Sequence, residues 1–183
     1  MSALEDPGPA AVPSIVTARL VLRELRPDDL DALAAVLGDP VAMAWYPQPF
    51  SREETMAWIE RDRARYATAG FGHLGIELRS TGELIGDCGP TVLDIEGVPE
   101  VELGWHVRRD QWSRGYATEA AIATRDWMFD RRGLDRLISL VRPENASSCR
   151  VAEKIGMSVE REVVRRGWRH FVYAMGPGDR HRG

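Results

Sequence analysis

Glu100-Val-Glu-Leu-Gly-Trp-His-Val-Arg-Arg-Asp-Gln-Trp-Ser-Arg-Gly-Tyr-Ala-Thr-Glu119 is the most informative stretch of the chain. A strand pattern runs into a short loop, and Gly115 and Ala117 fall where a helix begins. Small residues there let backbone N–H groups approach a ligand, and a helix N-terminus adds roughly half a positive charge. The arrangement suits a pyrophosphate. It equally suits ordinary strand–loop–helix packing, because it has neither the G-x-G-x-x-G of a dinucleotide fold nor the G-K-[ST] of a phosphate loop.

A second stretch, Asn145-Ala-Ser-Ser-Cys-Arg-Val-Ala-Glu-Lys-Ile-Gly-Met157, opens with a good N-cap. Ser148 follows one helical turn in, near the positive end of the dipole. Capping alone is the competing explanation, with Val151, Ala152 and Ile155 as core.

The elements that must hold these segments can be read along the chain. At 183 residues one domain is expected, and 44% hydrophobic with 28% charged residues describes a folded soluble protein rather than a disordered one. Ile15 to Leu25 reads as a strand, and Pro27 opens a helix that Gly38 to Pro40 stops. An aromatic, proline-rich loop follows from Val41 to Phe50. Ser51 and Glu54 form a capping box that starts a second helix, ending near Gly70. Strands are expected at Gly72 to Arg79, Leu84 to Leu93 and Val101 to Arg108, a helix at Arg114 to Arg132, and a strand at Arg136 to Val141. A helix from Asn145 to Ile155 precedes two last strands, Ser158 to Arg165 and Trp168 to Met175. The result is a mixed, mostly antiparallel sheet of seven strands covered by about four helices. Residues 1–14 read as a flexible leader, 15–176 as the domain and 177–183 as a flexible tail.

Composition also excludes. A net charge of −4 argues against a generally basic nucleic-acid binder. No apolar run approaches the ~18 residues of a membrane span, and Met1 to Ser14 lacks the basic start and apolar stretch of a secretion signal. Cys88 and Cys149 are too few for a disulfide framework and read as small apolar residues in a reducing cytoplasm. His73, His106, His170 and His181 are scattered, none at metal-ligand spacing from a cysteine or carboxylate, so no metal site is expected.

Together the two stretches resemble the GCN5-related N-acetyltransferase (GNAT) superfamily, most closely its RimJ/RimL-type branch. The resemblance runs from Thr17-Ala-Arg-Leu-Val-Leu-Arg to Tyr173. Its markers are Leu84-Ile-Gly-Asp-Cys-Gly89, Glu102-Leu-Gly-Trp105, Trp112-Ser-Arg-Gly-Tyr-Ala-Thr-Glu-Ala120 and the Asn145 to Met157 stretch. It implies an α/β domain of α+β type in which the Glu102 strand splays from a parallel neighbour, with the pantetheine of acetyl-CoA in the gap. Val107 would bond that arm through its backbone. Amides of Ser113, Arg114, Gly115, Ala117 and Thr118 would cradle the pyrophosphate, and Asn145 would contact the pantetheine side. Ser148 would donate to the thioester sulfur as it gains charge. Where the branch commonly has Trp-Gly-Lys-Gly, this chain has Trp112-Ser113-Arg114-Gly115, which puts a Cβ into the loop.

The implied reaction is direct acetyl transfer to an amine, with Glu102 as candidate base and Glu100 as second choice. Deprotonating a lysine-type amine at pH 7 costs about 4.6 kcal/mol, an α-amine about 1 kcal/mol, so the demand on the base depends on the acceptor. Trp45, Tyr46 and Phe50 are candidates for the acceptor pocket, as cation–π partners or as packing. The turn Arg165-Arg166-Gly-Trp-Arg169 is a positive patch suited to an acceptor with a carboxylate. The branch implies a cytoplasmic enzyme, acting on protein N-terminal amines or on small amines such as polyamines, amino acids or aminoglycosides, with a homodimer common. A catalytically silent acyl-CoA-binding module is the rival from another class.

Overall fold

The computed structural model describes residues 12–180. Strands β1 (Ile15–Val16) and β2 (Leu20–Glu24) are followed by helices α1 (Leu30–Leu37) and α2 (Arg52–Ala69). Then come β3 (Leu74–Leu78), β4 (Leu84–Ile95), β5 (Val98–Val107), α3 (Tyr116–Arg132), β6 (Leu137–Val141), α4 (Ala146–Lys154), β7 (Ser158–Arg165) and β8 (Trp168–Met175). One mixed sheet runs β1-β2-β3-β4-β5-β6-β8-β7, with β5 and β6 its parallel pair.

The count is eight strands rather than seven because Thr17 folds the first one back on itself. Its N–H donates to the Leu20 carbonyl at 2.9 Å and its Oγ1 accepts the Leu20 N–H at 2.9 Å, so Ile15 pairs with Leu22. Pro27 likewise opens a 3-10 turn, Pro27–Asp29, ahead of α1. There Asp29 takes the Arg23 guanidinium in a fork at 2.8 Å on each oxygen and the Arg26 N–H at 2.7 Å.

Helix α2 begins at the expected capping box: Glu54 N–H donates to Ser51 Oγ at 3.1 Å, and Ser51 N–H to Glu54 Oε2 at 2.7 Å. Thr55, Ile59, Asp62 and Tyr66 form its buried stripe at helical spacing. The helix ends at Gly70, whose φ of 70° is the left-handed conformation that favours glycine. Leu33, Leu37, Met43 and Ile59 pack with Leu25 and Leu84 around α1 and α2. The larger cluster seats Ala120, Ala121 and Phe129 of α3 and Ala152 of α4 against Leu22, Ile76, Cys88 and Leu103.

Of the leader expected at 1–14, residues 1–11 lie outside the described residues; Val12 is buried, its N–H 3.3 Å from Glu24 Oε1. At the other end Pro177–Asp179 form a 3-10 turn and Arg180 pairs with Asp130 at 2.8 Å, while residues 181–183 lie outside the described residues. Among the described residues no helix is long and apolar enough to cross a membrane.

The feature that positions the site is the seam between β5 and β6. The two strands are in register at one pair, Glu102 with Ile138. Beside it Ser139 Oγ donates to the Leu103 carbonyl at 2.7 Å, a side chain substituting for a ladder bond. Past that point the strands leave each other.

Candidate active site

Beyond β5 the chain turns through a 3-10 segment, Arg109–Gln111, into exposed Ser113, Arg114 and Gly115. Both Ser113 (φ 61°) and Gly115 (φ 82°) are left-handed, and the strain of a non-glycine there falls on Ser113, whose Cβ the sequence flagged. The N–H groups of Gly115, Tyr116, Ala117 and Thr118 donate to no acceptor among the described residues; the helical ladder begins with Glu119 N–H on the Gly115 carbonyl at 3.0 Å. Four free donors at the positive end of a 17-residue helix could receive an anion.

The loop is braced from the turn between β1 and β2, a feature the sequence did not reveal. Arg19 Nη1 donates to the Arg114 carbonyl at 2.9 Å and Arg19 Nε to Glu119 Oε2 at 2.7 Å. Thr17 Oγ1 donates to Glu119 Oε1 at 2.6 Å, and the Arg19 guanidinium lies 4.5 Å over the Tyr116 ring. Trp112 closes the loop from the other side, its indole N–H on the Val107 carbonyl at 2.6 Å. That carbonyl keeps one further lone pair for a ligand.

Glu102, Gly104 and His106 alternate along β5, opposite Thr91, Gly89 and Asp87 on β4. The facing glycines leave a hollow into which His73 enters. A Cβ on Gly104 would stand 3.4 Å from His73 Nε2 and 3.5 Å from Glu102 Oε2, so imidazole and carboxylate share one small space. Burial pushes the Glu102 carboxyl above its ordinary pKa, opposed by His73, the Leu140 N–H, His106 and Arg165.

Asp87 lies fully buried at the floor of this hollow. His106 Nδ1 is 2.7 Å from its Oδ1, His73 Nδ1 is 3.1 Å from its Oδ2, and the Trp58 indole N–H donates to Oδ2 at 2.8 Å. Tyr46 completes the chain, its hydroxyl 2.7 Å from His106 Nε2. Burial alone would raise the Asp87 pKa, but His106 and His73 hold it far below the ordinary carboxylate range. Burial alone would lower His73; the Asp87 charge and hydrogen bond, with Asp62 and Glu102, raise it to about 8. Sequence spacing makes the histidines look scattered; the fold brings His73, Asp87 and His106 to within 4.8 Å of one another. His73 and His106 each reach a different oxygen of Asp87, so the three form one hydrogen-bonded cluster.

The sequence model described as Acetyltransferase (GNAT) domain matches residues 19–158. The chain belongs to the GNAT acetyltransferase family. Among its relatives, the uncharacterized protein YkkB of Bacillus subtilis (strain 168) is 33% identical over 150 residues, 81% of this chain and 87% of that protein. The uncharacterized N-acetyltransferase YnaD of the same organism is 30% identical over 168 residues, 88% of this chain and 95% of that one. The solved structure of an acetyltransferase from Agrobacterium tumefaciens superposes with a TM-score of 0.79 at 35% identity, covering 90% of this chain and 94% of that chain. This GNAT protein is an acyl-CoA-dependent N-acetyltransferase with the mixed α/β fold of the family.

In the GNAT frame the remaining candidates fall on two sides of the seam. Asn145 caps α4, its Oδ1 accepting the Ser148 N–H at 3.2 Å and the Ser147 hydroxyl at 2.8 Å. The Ser148 side chain is half-buried, and its hydroxyl makes no hydrogen bond among the described residues. On the other side Tyr46 stacks edge-on with Phe50, and Phe50 with Trp58. Arg142, just past β6, lies 5.4 Å from the Trp45 ring and 4.0 Å from the Trp168 ring, joining the 41–50 loop to the β7–β8 turn. Its Nε is buried without a hydrogen bond. Arg169 is occupied by Glu162 at 2.7 Å, which leaves the positive patch smaller than its sequence implies. Glu100 is held by Arg136 at 3.0 Å, away from the hollow.

Proposed function

We propose that the protein transfers acetyl from acetyl-CoA directly to a primary amine, with a protein N-terminal α-amine as acceptor, in the manner of the RimJ/RimL branch and within the cytoplasm. The observation that carries this reading is the seam itself. A carboxylate with a raised pKa sits at the last registered pair of two diverging strands, and four unpaired amides lie just beyond. Acetyl-CoA would lay its diphosphate on the amides of Ser113 to Thr118, with Asn145 and the Val107 carbonyl along the pantetheine arm. A RimL ribosomal alpha-N-protein acetyltransferase in complex with coenzyme A shares the fold (TM-score 0.71, 19% identity).

In this reading Glu102, directly or through a water, takes a proton from the acceptor nitrogen, which attacks the thioester carbonyl. As the C–S bond breaks, Ser148 donates a hydrogen bond to the sulfur. The departing thiolate has a pKa near 8.5, taking cysteine as reference, so little acid strength is needed. Cys149, with its thiol toward the Arg142 carbonyl, has no part in a covalent step. The acceptor would approach past Trp45, Tyr46 and Phe50. A small-amine acceptor is the second reading, favoured by the Trp45–Arg142–Trp168 bridge that narrows this approach.

Thiol release from acetyl-CoA, followed by mass spectrometry of the product, tests both. The panel is hexapeptides beginning with Ser or Ala, spermidine, free amino acids and kanamycin. Acetylation of the peptide α-amine supports the first reading, turnover confined to small amines the second. Coenzyme A binding without thiol release from any amine defeats both.

A further inference from the structure

Resting on that transferase reading, we propose that Tyr46, His106 and Asp87 form a second proton-accepting route, in which the Tyr46 hydroxyl meets the acceptor amine and His106 takes the displaced proton. An alkylammonium acceptor must lose two protons from nitrogen, one to become a nucleophile and one after the C–N bond has formed. The departing thiolate takes up one; the other must reach solvent. A single enclosed carboxylate, Glu102, holds only one at a time.

The geometry supplies the second acceptor. The Tyr46 hydroxyl lies 2.7 Å from His106 Nε2, and His106 Nδ1 is 2.7 Å from Asp87 Oδ1. An ionised Asp87 can only accept, so His106 Nδ1 donates to it, and the route uses the tautomer in which Nε2 accepts from Tyr46. When the amine N–H bond breaks, an O–H bond forms at Tyr46; the original Tyr46 O–H bond breaks, and an N–H bond forms at His106 Nε2. The imidazolium faces a carboxylate, and no net charge is created. The same order of groups, hydroxyl to imidazole to buried carboxylate, moves protons in hydrolase triads.

The rest of the cluster fixes Asp87. Trp58 of α2 and His73, from the segment before β3, both bond its other oxygen. The charged and titratable groups facing the route are Asp87 on β4, His73 and Asp62 behind it, and Glu102 on β5. Tyr46 is 41% exposed as a residue, while its hydroxyl is turned inward onto His106. Burial, with the Glu102 and Asp87 charges, raises the Tyr46 pKa well above its ordinary value, so the hydroxyl relays as a neutral group. Tyr46 would be a catalytic residue; His106 and Asp87 act through it and position it.

The test measures kcat and KM against pH for wild type, Tyr46→Phe, His106→Gln, the double variant and Glu102→Gln. Acetyl-CoA and an alanine-first hexapeptide are the probes, with spermidine in parallel, and coenzyme A binding is followed by calorimetry. Tyr46→Phe keeps the ring packed on Phe50 and guards against loss of fold at His106. The expected result is a fall in kcat of about 100-fold for each single variant, within the range of proton-transfer catalysis, with unchanged coenzyme A affinity. The double variant should be no slower than the singles, and both should lose the same limb of the pH–rate profile. Full kcat in Tyr46→Phe, or multiplicative losses with an unaltered pH profile, would overturn the route while leaving the transferase reading intact. A wild type that binds coenzyme A but turns over neither probe overturns both.

Discussion

Arg19 and Glu119 lie 100 residues apart in sequence and meet at 2.7 Å, beneath the loop that opens α3. The same guanidinium holds the Arg114 carbonyl, so one arginine fixes both the loop and the first turn of the helix. Glu119 is kept below its ordinary pKa, its desolvation outweighed by Thr17, the Arg19 N–H and the Arg19 guanidinium. The brace thus fixes the backbone around the free amides that open α3.

Glu119→Gln and Arg19→Ala should both weaken coenzyme A binding by about tenfold, equivalent to ~1.4 kcal/mol. The acceptor KM should stay near its wild-type value. Titration calorimetry checks the first, and steady-state kinetics the second. An unchanged coenzyme A affinity in both variants would mean that the brace does not order the cradle.

Glu102→Gln should lower kcat by about 100-fold, and more for spermidine than for a peptide α-amine, because the higher-pKa amine needs the base more. Equal losses for the two amines would remove Glu102 from the role of base. Because burial raises the Glu102 pKa, wild-type activity should fall on the acid side at a pH above the usual carboxylate range.

His73 gives a signed dependence of stability on pH. Its folded pKa, about 8, lies above the ordinary value near 6.5, so its contribution is complete below about pH 6.5 and is lost as pH rises through about 8. Asp87 works in the opposite sense, contributing above about pH 4 and failing in acid. Melting temperature should therefore decline by a few degrees between pH 6.5 and 9, and the decline should shrink in His73→Gln. A decline of the same size in that variant would show that another group titrates there.

Arg142→Gln should raise the acceptor KM roughly fivefold, since it releases Trp45 and Trp168 from their shared cation and opens the mouth. Coenzyme A affinity should not move. The reverse pattern would place Arg142 on the carrier side of the seam.

Much of the frame was legible in the sequence because the signals were local. The Ser51–Glu54 box, the Gly70 and Gly156 stops and the period-2 alternation at Glu102, Gly104 and His106 each depend on neighbours a few residues away. Strand ends β7 and β8 fell at the expected residues, with the Arg166-Gly167 turn in left-handed φ. Thr17 hid the extra strand, because a hydroxyl folding back three residues looks like any polar position in an alternating run. The polar cluster was hidden by distance. His73, Asp87 and His106 come from three strands or their flanks, and only the facing glycines at 89 and 104 admit His73 between them. A pair of glycines at matching positions of a hairpin was the available signal, readable once the β4–β5 register was known.

A crystal structure with coenzyme A bound tests the placement of the site most directly. The diphosphate should accept from the N–H groups of Gly115 to Thr118, with the sulfur in the seam between Ser148 and Glu102. A diphosphate bound elsewhere, or a sulfur out of reach of both side chains, would contradict it.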